Sequence, residues 1–399
     1  MPAAALPKRI PGVTHVRLAA LALFALGAGL GFLGILVLRQ ALVSITLVGP
    51  EPAAAAGALC ALVPGRRLSA RQAPDKWTRA FLTLCGIGSA GGLVYLAALQ
   101  HAWAKPASLA LLGLACGGCL RLSVALVLAM LPPWRPAAIM GVCGACLGLG
   151  GVAANLIGAW IANPASWLDP VLLAASAVPL LLALTSIRAG RVRFGAATDR
   201  WGAGRADEGT QARGILIAAS LLLQATACGL AVAWLTSYLS RRAGFSLVEG
   251  AVVMALFWSG LAFGWATAER LPNLRENLYP LVGPLALAAA GAASLLYPVL
   301  AVLAVAGALL LGLATGLLLS LTLRLGDWPA TLGRSLWVMR SLHVSLVVSL
   351  AGCWAVGVLV SIAGFGTPVW AILGCMVAAV GALFLLVVDC RVSGDAVMI

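Results

Sequence analysis

Arg121 is the residue with the sharpest chemical demand in this chain. It lies about 14 residues into an apolar run at 107–131, and a guanidinium does not lose its proton. At roughly 1.5 Å per helical residue it sits near the middle of a membrane-length segment. A charge at that depth is costly unless it faces a polar cavity or a partner. It could attract an anionic or carbonyl-bearing solute, or serve as a structural partner to helix-end carbonyls or an acidic side chain. Gln224 and Asn155 are uncharged polar residues in other apolar runs. Each could hydrogen-bond a solute or link two helices. Arg340 and His343 are three apart and share a helix face. Arg340 could snorkel to an interface, and His343 could be a protonation switch or a packing residue. Trp234, Tyr238, Trp258 and Trp354 could line a pathway or anchor helix ends at an interface.

Carboxylates are scarce within the apolar runs. Glu51 and Glu249 lie near the outer ends of the runs at 47–66 and 246–268, and Glu269, followed by Arg270, lies near the inner end of the latter; none is central. A proton-coupled carrier needs a titrating group inside a span, so coupling would fall to one of these or to His343; otherwise the protein is a facilitator. Cys116-Gly117-Gly118-Cys119 and Cys143-Gly144-Ala145-Cys146 have the paired spacing of a thiolate metal site. On apolar helices they read better as small residues at helix contacts, and no metal or cofactor is expected. A phosphate-binding loop of P-loop spacing and a Ser/His/Asp or HExxH constellation are absent, so direct ATP drive and enzymatic activity are not expected.

Composition sets the frame for these residues. The 399 residues are 62% hydrophobic and 10% charged, with a mean hydropathy of +1.05. A soluble chain carries about 25% charged residues, so water cannot be the main solvent. Apolar stretches of the roughly 20 residues needed to cross a bilayer recur along the whole chain. Twelve spans are expected, at 17–39, 47–66, 79–101, 107–131, 137–162, 168–188, 213–237, 246–268, 278–296, 299–323, 335–362 and 367–388. The second opens on Gly49-Pro50-Glu51-Pro52, which the first helical turn tolerates. The first has no cleavage site after it and reads as a retained span.

The formal net charge of +14 is topological in origin. The basic residues sit in short loops without aromatic interleaving or a folded basic domain, which argues against nucleic acid. With both termini cytoplasmic, the inside segments hold about 20 Lys and Arg; the outside holds Arg39, Lys105, Arg241 and Arg242. That bias fixes orientation and supports an even number of spans. The polar stretch 189–212 reads as a cytoplasmic linker between six-helix bundles at 1–188 and 213–399. The halves repeat weakly. Leu47-Val48 recurs as Leu247-Val248, and Leu111 to Ala115 recurs 199 residues on as Leu310 to Ala314.

This layout resembles the major facilitator superfamily over nearly the whole length. Ser246 through Gly264 resembles the family's eighth helix, and Ala268-Glu269-Arg270 the acidic-basic core of the loop after it. The stretch from Gly113 through Pro132-Pro133-Trp134-Arg135 to Gly141 resembles the fourth helix, its inner loop and the fifth helix, whose small-residue run here is Gly141 to Gly158. The loop between spans two and three departs from the pattern, with Gly65-Arg66-Arg67 and a displaced Asp75. The resemblance implies an all-α polytopic protein with two pseudo-symmetric six-helix bundles. It implies a monomeric secondary transporter in the plasma (inner) membrane, moving a small organic solute by alternating access around spans one, four, seven and ten. Arg121 leans that solute toward an anion, and a proton is the candidate coupling ion. The alternative is a non-transporting protein of the same fold acting as an assembly factor or sensor.

Overall fold

The computed structural model describes residues 13–43, 51–62, 76–99, 103–130, 136–161, 169–189, 208–272, 274, 278–297, 301–325, 344–351, 360, 364 and 366–392. The expected linker core at 190–207, and Arg340, His343 and Trp354, lie outside the described residues. The side chain of Glu269 does too.

The described chain is helical, without strands. In order come α1 (Val13–Val43), α2 (Glu51–Leu62), α3 (Lys76–Ala97), α4 (Ala104–Met130), α5 (Pro136–Ile161), α6 (Pro170–Ala175) and α7 (Ala177–Ala189). Then follow α8 (Glu208–Ala243), α9 (Leu247–Thr267), α10 (Tyr279–Leu296), α11 (Ala301–Leu325), a helical stretch at 344–351, and α12 (Thr367–Val392). Ten membrane-length apolar helices stand among the described residues, with α6 and α7 counted as one span. Those helices, together with α2 and the 344–351 stretch, fall in the twelve runs read from hydropathy.

Local chemistry explains the breaks. Asp169 caps α6, its carboxylate accepting from the backbone N–H of Val171 (3.0 Å) and of Leu172 (3.4 Å), with Pro170 at the first helical position, where no N–H is missed. The helix interrupts at Ser176 because Pro179 cannot donate to the Ala175 carbonyl. The Ser176 hydroxyl instead donates to the Leu173 carbonyl at 2.6 Å. Beyond α8, Gly244 adopts φ +70°, the left-handed conformation that ends a helix without a Cβ penalty.

Large apolar side chains point outward. Leu84 is 69% exposed and Val302 71%, which water would not tolerate across so many positions but acyl chains accept. Trp160, Tyr279 and Tyr297 are exposed at helix ends, where amphipathic rings suit the headgroup layer.

Two clusters of buried side chains form. One is built mainly from α1 to α7, the other from α8 to α12. Their helix pairings correspond: α1 with α7 and α8 with α12, α2 with α4 and α9 with α11, α3 with α7 and α10 with α12, α3 with α4 and α10 with α11. The tightest pairs use the same device. A Cβ on Gly113 would overlap the Ala54 carbonyl of α2, and one on Gly57 the Ala110 carbonyl of α4. Between α9 and α11, Gly312 meets the Phe257 carbonyl and Gly260 the Leu309 carbonyl. Small residues let membrane helices approach backbone to backbone, gaining packing that lipid cannot offer. Gly113 and Gly312 stand 199 apart, the offset of the sequence repeat in spans four and ten. Gly57 and Gly260 stand 203 apart, so the contacts set spans two and eight three residues away from the register of the Leu47/Leu247 match.

Candidate functional site

Helices from both clusters meet along two seams. In the first, α5 lies between α1 and α9. One face of α5 is notched: Gly144 receives the Trp265 ring, Gly148 the Ala262 methyl and Gly151 the Trp258 ring. Its other face packs on α1, with Gly150 against the Phe24 carbonyl and Gly158 against Ile35. The small-residue run singled out in the sequence therefore forms a close contact between the two sets of helices. In the second seam, α1 meets α8, where a Cβ on Gly34 would stand 2.9 Å from the Val232 carbonyl.

Between these seams lies a cavity of about 140 Å³, within an empty region of about 940 Å³ that extends to the outside. Its described walls come from α1, α2, α4, α5, α8, α11 and the 344–351 stretch. They include Leu26 and Leu30 of α1, Leu120 of α4, Leu221 and Ala233 of α8 and Leu319 of α11. The polar members among the described residues are Ser345, Ser349 and the Cys228 thiol. Ser349 donates to the Ala225 carbonyl of α8 at 2.8 Å. Ser345 is 2% exposed and its hydroxyl has no hydrogen-bond partner among the described residues.

Toward the Gly244 end of α8 a second, smaller crevice of about 10 Å³ opens, lined by Gly31, Ile35, Asn155, Thr236 and Met254 among others. That is about the size of one water. Gly34 and Val232 line both spaces, so the α1–α8 contact is the wall between them.

The sequence-selected residues fall into different places. Arg121 is 3% exposed and is not among the lining residues of either space. Gln224, fully buried, donates from Nε2 to the Ser220 and Thr322 hydroxyls, each at 2.7 Å. Ser220 in turn donates to the Ala379 carbonyl at 3.3 Å, so this network ties α8 to α11 and α12. Asn155 lines the small crevice, and its Nδ2 donates to the Gly151 carbonyl at 2.8 Å.

Tyr238 is 2% exposed and its hydroxyl donates to the Leu295 carbonyl at 2.8 Å, satisfying an acceptor in the last turn of α10. Trp234 is partly buried against the α8–α12 cluster. Glu249 sits in a capping box. It accepts from the Ser246 backbone N–H at 2.7 Å, while its own N–H donates to the Ser246 hydroxyl. Arg270 is exposed in a short 3₁₀ turn that also holds Glu269. Cys116 and Cys119 are buried in α4, and Cys116 packs over Gly29 of α1. Arg213 of α8 pairs with Asp389 of α12 at 2.8 Å.

Residue-by-residue inspection of the sequence missed Ser345 and Ser349. Their i, i+4 spacing in an apolar run was the available signal, but serine is common in helix packing.

No protein-family profile and no curated protein sequence matches the chain. Solved structures do. A bacterial homologue of the human lysosomal transporter Spinster, inward-facing and unoccupied, superposes with a TM-score of 0.61 at 16% identity, covering 94% of this chain and 96% of that one. The human organic anion transporter MFSD10 gives 0.66 at 16% identity, with 93% and 99% covered. FucP, described as a Major Facilitator Superfamily transporter and solved in the outward conformation, gives 0.61 at 14%, with 95% and 99% covered.

Proposed function

We propose that this chain, which carries the major facilitator superfamily fold, is a secondary transporter moving a small organic solute across the membrane by alternating access. The cavity at mid-length of α1, α4 and α8, walled by helices of both buried clusters, carries this reading. A site bounded by two sets of helices can open to either side when one set rocks against the other. The glycine-notched face of α5 on α9 and the α1–α8 contact are surfaces along which such rocking would proceed.

In this reading the moving bodies are 1–188 and 213–399, joined by the 189–212 linker. Both termini face the cytoplasm, as the distribution of Lys and Arg favours, and the membrane is the plasma (inner) membrane. The anionic preference that Arg121 suggested is not carried over, because Arg121 is not among the residues lining the cavity. Coupling to a proton would fall to His343 or Glu269, since the Glu249 carboxylate caps α9. Arg340 and Arg270 would hold the cytoplasmic ends of their helices.

The test is two-sided accessibility. Ala225 lines the cavity, and Ala225→Cys can be followed by peptide mass spectrometry despite the native cysteines. In sealed vesicles an impermeant methanethiosulfonate should modify Cys at 225 from either face. Modification from one face only, under all conditions, would favour the non-transporting alternative.

A further inference from the structure

We infer that one side chain, Val232 of α8, is the barrier between the central cavity and the crevice beyond it, and that this barrier opens only when α1 and α8 part. The inference rests on the transport reading in taking the cavity as the place to which entry is controlled.

The position of the barrier follows from which residues face which space. Gly34 and Val232 are the described residues that line both. On the cavity side stand Leu30 and Leu33 of α1 and Gly229 of α8. On the crevice side stand Ile35, Thr236 and Asn155. Along α8 the wall changes from cavity to crevice between Gly229 and Thr236, roughly 10 Å of helix. Val232 lies between them.

The contact itself is tight. A Cβ on Gly34 would stand 2.9 Å from the Val232 carbonyl oxygen and 3.0 Å from its Cγ1. The valine side chain therefore lies over the glycine, and the two helices leave no space between them there. A β-branched side chain on a helix has one strongly preferred rotamer, so Val232 does not swing aside as a leucine or methionine could. Opening needs movement of the helices. Once they move apart, Gly34 has no side chain to keep the gap filled. The chemistry changes across the barrier as well. Water in the crevice meets a wall that includes Asn155 and Thr236, whereas beyond Val232 it meets Leu30 and Leu33. An apolar constriction of this kind closes by excluding water.

The native Cys228 thiol lines the cavity and serves as reporter. The probe is Ag⁺, small enough for a passage of water size, added to one face of sealed vesicles of the full chain. Thiol left free is counted by alkylation and peptide mass spectrometry. Arg242 is exposed at the end of α8, and Arg242→Cys in a separate sample identifies the face toward the Gly244 end. Val232→Ala should speed the reaction of Cys228 from that face by about tenfold or more, and change it from the opposite face by less than about twofold. Gly34→Ala, which forces the helices apart where Val232→Ala thins the barrier, should speed the same reaction. Val232→Ile, which keeps the branch at Cβ, should stay within about twofold of the parent.

Unchanged access in a Val232→Ala protein that unfolds at the parent's temperature overturns the inference. So does acceleration from both faces alike, or a Val232→Ile protein as open as Val232→Ala. If Val232→Ala does not fold, Gly34→Ala decides on the same criteria. The two readings fail separately. One-sided access at position 225 in the parent, with Val232→Ala admitting Ag⁺ from the Gly244 end, removes transport and leaves the barrier standing. Two-sided access with Val232→Ala without effect does the reverse.

Discussion

Trp258 of α9 lies against Gly151 of α5, so close that any Cβ at position 151 would overlap its ring. This contact joins helices from the two halves of the chain. It also has a partner one heptad away, Trp265 on Gly144. A large side chain received by a glycine gives a tight seat with little backbone adjustment, and it leaves α5 no room for growth on that face.

Gly151→Leu should therefore lower stability by about 1–3 kcal/mol, the usual cost of overpacking a filled contact. Thermal unfolding in detergent reads it. Trp258→Ala in the same protein should return part of the loss, because it empties the space the leucine needs. Independent, additive losses would show that the two positions do not share the contact.

Gln224 spans α8 to α11 through Thr322. Gln224→Leu should cost about 0.6 kcal/mol, and at most roughly 1.7, the range for interhelical hydrogen bonds in membranes. Thr322→Val on that background should add almost nothing. Loss of two-sided access with unchanged stability would instead assign Gln224 to the solute.

Ser246 and Glu249 close the start of α9 with reciprocal hydrogen bonds. Ser246→Ala should destabilise by about 1 kcal/mol, readable as a lower unfolding temperature. Access at position 225 should stay two-sided. A proton-dependent change of access in the parent that vanishes in Glu249→Gln would move Glu249 from cap to coupling group.

Arg213 and Asp389 pair at 2.8 Å between the first turn of the α8 span and the end of α12, with Asp389 about half exposed. Solvent screens such a pair, so Asp389→Asn should cost no more than about 1 kcal/mol. That cost should shrink in high salt. A salt-independent loss would point to packing of the Arg213 stem instead.

Arg121 is buried and lines neither space. Arg121→Met should change protein yield or unfolding temperature while leaving access at position 225 two-sided. Loss of two-sided access with unchanged stability would return Arg121 to the transport pathway.

Much of this protein is additive along its chain and was legible there. Apolar length decides which segments leave water, without any knowledge of neighbours. The membrane class, the helical runs and the glycine-rich face of the fifth span all follow from counting of this kind. Even the Gly113/Gly312 correspondence was present as a five-residue repeat.

Which polar residue meets which partner is not additive, and only the tertiary structure decided it. Gln224 and Ser345 look alike from the sequence, each a polar group in an apolar helix. One finds hydroxyls on its own and a neighbouring helix; the other belongs to a cavity wall, with its oxygen buried and without a hydrogen-bond partner among the described residues. Tyr238 likewise looks like a pathway aromatic until its hydroxyl donates a hydrogen bond to the Leu295 carbonyl. A hydrogen bond forms over about 3 Å between side chains that can stand far apart in the chain. The choice between partner and passage is therefore made by how helices rotate against one another, which composition does not record.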